Sequence, residues 1–262
     1  MLPKGMKRTE LSAKGRIIFP LDVSTLEEAK YYIDLLKDYV GLFKVGLELF
    51  VSLGPQILRE IKRDIDSSKI FLDLKFHDIP ETVRGAYRAA SIHGAKFVTI
   101  HCDEGKGLLE AVVKEKADRT TKILGVTLLT SLNVDSLKEM GFSPGLTPKD
   151  IVMLRANIAK EAGCDGVVCS PLEAGAVKER FGPDFIVVTP GIRPSWASVK
   201  GDDQQRAAAP AEAIHNGADY IVVGRPIRSA PDPVEAAKKI AAEIEEALLK
   251  GEKIPSSSLH GV

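Results

Sequence analysis

The chain has 262 residues, of which 44% are hydrophobic and 27% charged, and its mean hydropathy of −0.01 is typical of a globular protein with a sizeable core. Its 36 basic and 36 acidic side chains balance to a formal net charge of zero, which argues against a nucleic-acid or acidic-membrane partner. No stretch approaches the roughly 20 apolar residues of a membrane span, and the basic start lacks the apolar core of a signal peptide, which together favour a cytoplasmic protein.

Short apolar runs alternate with helical patterns along the chain. Most of the runs are continuously apolar, as expected for strands buried on both faces. The predicted strands are residues 16–23, 42–47, 69–75, 97–102, 122–129, 166–170, 185–192 and 220–227. A first helix is predicted after a Ser24 cap, with Glu27 three residues on, and the others at 55–64, 80–93, 105–118, 147–162, 172–181, 210–216 and 233–249.

Eight strands alternating with eight helices predict a (β/α)₈ barrel, the TIM barrel. A doubly wound open sheet is the alternative, but it would normally carry a glycine-rich turn where this chain has Pro20-Leu21-Asp22-Val23-Ser24. We therefore predict one barrel domain over residues 16–250, preceded by an extension (1–15) and followed by a loose tail (251–262).

The three cysteines, Cys102, Cys164 and Cys169, form neither a disulfide framework nor a zinc-site spacing. We interpret them as small buried side chains. No metal ligand is predicted anywhere in the sequence, and no serine–histidine triad is evident.

Charged residues interrupt the first three predicted strands, at the ends where barrel enzymes carry their active sites. Asp22 ends the first strand, Lys44 lies in the second, and Asp73 and Lys75 end the third, with Asp78 just beyond. Because an unpaired buried charge is costly, these groups are expected to pair with one another or with a ligand. Asp73 and Lys75 share one face of their strand, which predicts an alternating Asp–Lys–Asp–Lys array. A purely structural ion-pair network is the alternative.

Such an array suits one kind of chemistry. A protonated lysine between carboxylates is an acid and a poor nucleophile, so a Schiff base is disfavoured. A carboxylate held against a substrate anion repels it until carbon dioxide departs, after which the lysine stabilises and protonates the remaining carbanion. The array therefore indicates a decarboxylase.

The remaining strand ends suggest a ligand with a heterocycle and a phosphate. Thr130 and Ser131 follow the fifth strand and suit hydrogen bonds to a heterocycle, although hydroxyls also begin ordinary loops. A long polar stretch after the seventh strand is interpreted as a mobile loop. The phosphate contacts that these ends predict are Gly224 and Arg225 after the eighth strand, with Gln204 or Gln205 closing the loop onto the phosphate.

The segment Asp73-Leu74-Lys75-Phe76-His77-Asp78-Ile79-Pro80 resembles the signature of the orotidine 5′-phosphate decarboxylase family. Further matches follow in the family's order: Asp22, Lys44-Val45-Gly46, Leu129-Thr130-Ser131, Thr189-Pro190-Gly191-Ile192-Arg193, Asp203-Gln204 and Val223-Gly224-Arg225-Pro226. This resemblance implies conversion of orotidine 5′-phosphate to UMP in de novo pyrimidine synthesis, with no metal and no organic cofactor.

The resemblance also implies roles for individual residues. Lys75 would donate the proton, Asp73 would lie beside the departing carboxylate, and Asp22 and Lys44 would contact the ribose. The other implied substrate contacts are Thr130 and Ser131 at the pyrimidine, Pro190, and Arg193, Gln204, Gly224 and Arg225 at the phosphate, under a closing loop at 194–203. The family works as a homodimer, in which Asp78, Ile79 and Thr82 would reach into the partner's site.

Two other functions stay open on the sequence. Sugar-phosphate decarboxylases and hexulose-phosphate synthases share the Asp-x-Lys-x-x-Asp pattern, but they resemble magnesium enzymes and typically have an acidic residue where Lys44 stands. Lysine there disfavours a divalent cation. A non-catalytic nucleotide binder on the same barrel is the second alternative.

Overall fold

The computed structural model describes residues 11–116, 120–197 and 206–251. In this part of the chain eight parallel strands pair in sequence order, and the last pairs with the first to close a barrel. The (β/α)₈ prediction is therefore confirmed. The strands are β1 (Ile17–Pro20), β2 (Leu42–Val45), β3 (Ile70–Phe76), β4 (Phe97–His101), β5 (Lys122–Val126), β6 (Gly166–Val168), β7 (Ile186–Thr189) and β8 (Tyr220–Val222).

Helices surround the barrel and include three short ones that were not predicted, Leu47–Leu53, Val134–Glu139 and Arg225–Arg228. The prediction that the eighth strand reaches residue 227 is wrong, because Gly224 ends the extended run and Pro226 favours the first turn of a helix. In the described residues the helices are α1 (Leu26–Leu36), α2 (Leu47–Leu53), α3 (Gln56–Ile61), α4 (Pro80–Ser91), α5 (Lys106–Val113), α6 (Val134–Glu139), α7 (Pro148–Ala162), α8 (Pro171–Phe181), α9 (Pro210–His215), α10 (Arg225–Arg228) and α11 (Pro233–Gly251).

The first helix begins one residue later than predicted. Thr25, not Ser24, is its N-cap, and the Thr25 hydroxyl accepts the backbone N–H of Glu28 at 3.2 Å. The same Ser/Thr-x-x-Glu spacing occurs twice in succession here, and the second copy is used. Ser24 instead donates its hydroxyl to Glu48 Oε1 at 2.7 Å, which ties the β1–α1 loop to α2.

The core has two layers that follow the alternation of side chains along each strand. Outward-facing residues such as Phe19 and Phe43 pack against the helices. Inward-facing residues form an apolar floor inside the barrel, where Phe97 meets Phe71 and Tyr220 edge to face, at 5.8 and 5.3 Å between ring centroids. On β2, β3 and β4 the next inward positions above this floor are the polar residues Lys44, Asp73 and Thr99, which places charged groups directly on an apolar base.

An ion pair with a buried carboxylate lies at the opposite end of the barrel. Lys178 of α8 donates to Asp219 Oδ2 at 2.6 Å, and the same carboxylate oxygen accepts the backbone N–H of Val187 at 2.8 Å. Asp219 is only 3% exposed. This pair links α8 to β7 and β8 far from the mouth, so it contributes to stability and not to the site.

Neither end of the chain is fully described. Leu11, the first described residue, packs against the apolar floor, while residues 1–10 and 252–262 lie outside the described ranges, so the predicted extension and tail stay predictions. The three cysteines are free and buried, as predicted. Among the described helices, none has both the length and the apolar character needed to cross a bilayer.

Candidate active site

A cavity of about 530 Å³ opens at the carboxyl ends of the strands. Its floor includes Phe71, and its walls carry most of the predicted site residues. Those that line it are Asp22, Lys44, Asp73, Lys75, Thr130, Ser131, Pro190, Arg193, Gly224 and Arg225. The structure therefore brings together side chains that are separated by up to two hundred residues in the sequence.

The predicted charged array is present at one side of this cavity. Asp73 Oδ2 accepts the ammonium of Lys75 at 2.9 Å and lies 3.5 Å from Lys44 Nζ. Lys44 in turn donates to Asp22 Oδ1 at 3.2 Å. The order is thus Asp22–Lys44–Asp73–Lys75, in which each charge has an opposite neighbour.

The array keeps its central groups charged at neutral pH. Burial alone would raise the pKa of Asp73, but the ammonium groups of Lys44 and Lys75 and the hydroxyl of Thr99 outweigh it and hold that pKa below its usual range. Burial would likewise lower the pKa of Lys44, and the carboxylates of Asp73 and Asp22 reverse this, so the pKa of Lys44 is raised. A permanently charged pair, ammonium beside carboxylate, therefore faces the cavity.

Strand β3 reaches this geometry through a bulge. Leu72 pairs with Val98 and Phe76 with Ile100, so four steps along β3 oppose two along β4. Within the bulge Lys75 has a φ of +50°, the left-handed conformation that a residue with a Cβ rarely adopts. The bulge turns the Lys75 side chain toward the same carboxylate oxygen that Lys44 approaches.

Thr99 of β4 holds the bulge, and the sequence reasoning missed it. Its hydroxyl donates to Asp73 Oδ1 at 2.9 Å and accepts the backbone N–H of Lys75 at 2.9 Å. The Thr99 side chain is fully buried. Its inward position, two residues after Phe97, is the one that the alternation of side chains along β4 predicts.

The opposite side of the cavity carries the predicted phosphate contacts. Arg193, Gly224 and Arg225 line it, and so does Arg228 of α10, which donates to the backbone carbonyl of Asp22. Arg228 was not predicted because α10 was not. Three guanidinium groups therefore line this side of the cavity, a set of donors suited to an anion such as a phosphate.

Gly224 has a packing reason to be glycine. Its φ of −97° is open to any residue, but an added Cβ would lie 2.9 Å from Pro20 Cγ. The absent side chain therefore lets β8 approach β1 closely at the mouth. This packing requirement at Gly224 is independent of the phosphate contact that the resemblance implies.

Thr130 and Ser131 are the two central residues of a tight turn after β5. The Leu132 N–H donates to the Leu129 carbonyl at 3.1 Å and closes the turn. The same carbonyl accepts Arg206 Nη2 at 3.1 Å, and Arg206 Nη1 donates to Glu173 Oε1 at 2.7 Å. No local pattern signals this buried pair, because Arg206 stands in the polar stretch interpreted as a loop.

Three predicted residues lie outside the cavity. Asp78 and Ile79 line a separate surface groove together with His77 and Glu104, whose side chains are 2.8 Å apart between Nε2 and Oε1. Thr82 is exposed on the first turn of α4, and Ile79 is 67% exposed. The Lys75 site of this chain is thus built without them.

The predicted closing loop is described only in part. Gln204 lies outside the described residues, as do residues 198–203. At the start of the loop, Trp196 Nε1 donates to Glu243 Oε1 at 2.7 Å, and Lys239 stands 5.6 Å above the indole ring. The loop therefore leaves β7 in contact with α11.

No cluster of three or more His, Cys, Asp and Glu side chains suited to a metal ion occurs in residues 11–116, 120–197 and 206–251. The prediction that the chain needs no cofactor is not tested by this observation and stays a prediction.

Comparison with known proteins gives consistent matches. The family model "Orotidine 5′-phosphate decarboxylase / HUMPS family" matches residues 15–240. An orotidine 5′-phosphate decarboxylase of Desulfosudis oleivorans is 50% identical over 237 residues, which cover 90% of this chain and 95% of that protein. One of Trichlorobacter lovleyi is 46% identical over 241 residues, with 90% and 98% covered. The crystal structure of orotidine 5′-phosphate decarboxylase from Lactobacillus acidophilus matches with a TM-score of 0.74 and 36% identity, over 87% of this chain and 98% of that one.

Proposed function

This chain belongs to the orotidine 5′-phosphate decarboxylase / HUMPS family, and we propose that it decarboxylates orotidine 5′-phosphate to UMP through Lys75. The observation that carries the proposal is the contact of Asp73 Oδ2 with two ammonium groups, Lys75 at 2.9 Å and Lys44 at 3.5 Å, inside the cavity. A carboxylate that repels the carboxylate of the substrate therefore lies next to a proton donor.

The reaction uses both groups. The substrate carboxylate enters beside Asp73, whose ionised state disfavours a second negative charge at that point. The C6–carboxyl bond breaks, its electron pair stays on C6, and carbon dioxide leaves. Lys75 stabilises the developing carbanion and transfers a proton from Nζ to C6, after which solvent protons restore the ammonium.

The other cavity residues bind the rest of the nucleotide. Asp22 and Lys44 contact the ribose, and Lys44 also fixes Asp73. Thr130 and Ser131 hold the pyrimidine, with Pro190 as a further contact. The phosphate binds to Arg193, Gly224 and Arg225, on the cavity wall where the guanidinium groups lie, and to Gln204, which lies outside the described residues.

Lys44 also argues against the magnesium-dependent members of the family. Its ammonium stands 3.2 Å from Asp22 and 3.5 Å from Asp73, in the position between two carboxylates that a divalent cation would need. We therefore propose a reaction that needs no metal and no organic cofactor. Turnover of orotidine 5′-phosphate that is unaffected by EDTA supports this proposal, and strict dependence on magnesium would contradict it.

A Lys75→Ala variant separates the enzyme from a non-catalytic nucleotide binder. We expect its turnover to fall by several orders of magnitude while it still binds UMP. Unchanged turnover would exclude Lys75 as the acid. UMP binding by the wild-type chain with no release of carbon dioxide from orotidine 5′-phosphate would indicate the binder instead.

We further propose a homodimer in which Asp78, Ile79 and Thr82 complete the partner's site. Their exposure outside the cavity of their own chain supports this arrangement. Mixing inactive Lys75→Ala and Asp78→Asn chains tests it, since random exchange restores one intact site per mixed dimer and about a quarter of the wild-type activity. A mixture that stays inactive, despite subunit exchange, would exclude shared sites.

The substrate and product are charged nucleoside monophosphates, which do not cross membranes freely. We accordingly place the enzyme in the cytoplasm, where nucleotides are made.

A further inference from the structure

We propose that Arg206 is a positioning residue, which fixes the turn at Leu129–Leu132 and so aims Thr130 and Ser131 at the pyrimidine. This inference rests on the proposed function for the identity of the ligand. It assigns a role to a side chain that does not line the cavity and that the reaction itself does not use.

The first support is the contact itself. Arg206 Nη2 donates to the carbonyls of Leu129 and Leu128, at 3.1 and 3.4 Å. The Leu129 carbonyl is also the acceptor that closes the turn, so the guanidinium holds the first residue of the turn from behind. The two hydroxyl-bearing residues are the next in the chain, and Thr130 is only 8% exposed.

A second guanidinium continues the same pattern one residue earlier. Arg155 of α7 donates to the carbonyl of Thr127 at 2.6 Å, and its other terminal nitrogen lies 3.1 Å from Asp103 Oδ1. Three consecutive carbonyls at the end of β5 are thus held by two arginines from different elements. Because carbonyls held in this way cannot rotate independently, the turn holds the side chains of Thr130 and Ser131 in fixed positions.

The cost of the arrangement argues for a role beyond stability. Arg206 is 6% exposed and its counter-ion Glu173, on α8, is 4% exposed. Buried ion pairs of this kind are often no more stabilising than well-packed apolar residues of similar size. What apolar side chains cannot supply is a fork of donors that reaches a carboxylate on one side and backbone carbonyls on the other.

The test compares ligands with and without the base. We expect Arg206→Met to weaken UMP binding and to raise the KM for orotidine 5′-phosphate by about 10- to 100-fold, because the hydrogen bonds of Thr130 and Ser131 to the pyrimidine weaken. Binding of ribose 5-phosphate, which lacks the pyrimidine, should change by less than about threefold, since its contacts lie elsewhere, and kcat should fall less than KM rises. Arg206→Lys keeps the charge but not the two terminal nitrogens of the guanidinium. The logarithm of its loss in UMP affinity should be about a third to a half of that for Arg206→Met.

Lys178→Met is the matched control, because Lys178 also forms a buried ion pair on α8 but at the far end of the barrel. It should lower stability without changing the ratio of UMP to ribose 5-phosphate affinity. The proposal is overturned if Arg206→Met alters that ratio no more than the control does, or weakens both ligands equally. If Arg206→Met does not fold, Arg206→Lys decides by the same ratio. Failure of the wild-type chain to release carbon dioxide would refute the proposed function separately, since both ligands can be titrated without turnover.

Discussion

Replacing Thr99 with valine removes one buried hydroxyl and keeps the size and branching of the side chain. Asp73 Oδ1 then loses the donor at 2.9 Å, and the backbone N–H of Lys75 loses its acceptor. Hydrogen bonds to charged groups contribute about 1.5–3 kcal/mol. We therefore expect the free energy of unfolding to fall by about 2 kcal/mol.

The same change acts on the chemistry through the pKa of Asp73. That pKa is below its usual range in the folded protein, so the stability it contributes is present above the unfolded value and is lost as the pH falls through the folded one. Without the Thr99 hydroxyl the folded pKa rises, by about one unit for each 1.4 kcal/mol lost. The acid limb of kcat/KM for Thr99→Val should move to higher pH accordingly.

The rate should fall as well, because the Thr99 hydroxyl accepts the N–H of Lys75 and so helps to hold its left-handed backbone. We expect a loss of about 10- to 100-fold in kcat/KM at neutral pH, followed by turnover of orotidine 5′-phosphate, with unfolding measured in urea. Thr99→Ser retains the hydroxyl and is the control, with a loss of less than about tenfold. A Thr99→Val enzyme with wild-type rate and an unmoved acid limb would show that Thr99 does not hold the array.

Three more outcomes follow from packing and burial. In Gly46→Ala the new Cβ would lie 2.8 Å from Lys44 Nζ, so the ammonium must move. The affinity for UMP should drop by about tenfold, while the free energy of unfolding should change by less than about 1 kcal/mol. Unaltered affinity would mean that Lys44 does not act from this position. In Gly224→Ala the contact is with the ring of Pro20, which cannot swing away, so the free energy of unfolding should fall by about 1–3 kcal/mol in urea denaturation. Burial raises the pKa of all three thiols, and a thiol reagent at pH 8 should therefore label none in the native protein and all three in urea; rapid labelling of the native chain would contradict their burial.

The barrel and the charged array were predictable because both follow from short-range periodicity. Strands at regular spacing predict the fold, and the alternation of side chains along a strand predicts Asp73 and Lys75 on one face, a pairing that the structure has although β3 is bulged there. That reasoning needs no knowledge of how strands are registered against one another. It also explains why Lys44, on the neighbouring strand, could be assigned to the same array.

The features that were missed depend on distant partners. Arg206 donates to a carbonyl 77 residues away in the chain, and nothing around either residue signals the other. The β3 bulge depends on the register with β4, which no local pattern encodes. Residues of α10 were taken as strand because four residues are too few to show a helical period.

The β3 bulge has a consequence for attempts to transplant this chemistry. On a regular strand, residues two apart rise by about 6.6 Å, so Asp73 and Lys75 copied onto such a strand would stand one above the other. In this chain they meet at 2.9 Å on a stretch where four steps of β3 are fitted against two of β4, and the Thr99 hydroxyl bonds to Asp73 and to the backbone N–H of Lys75. A graft of the six residues from Asp73 to Asp78 alone would therefore carry the charges but neither the register shift with β4 nor the Thr99 hydroxyl, and the unit to transplant is β3 together with β4.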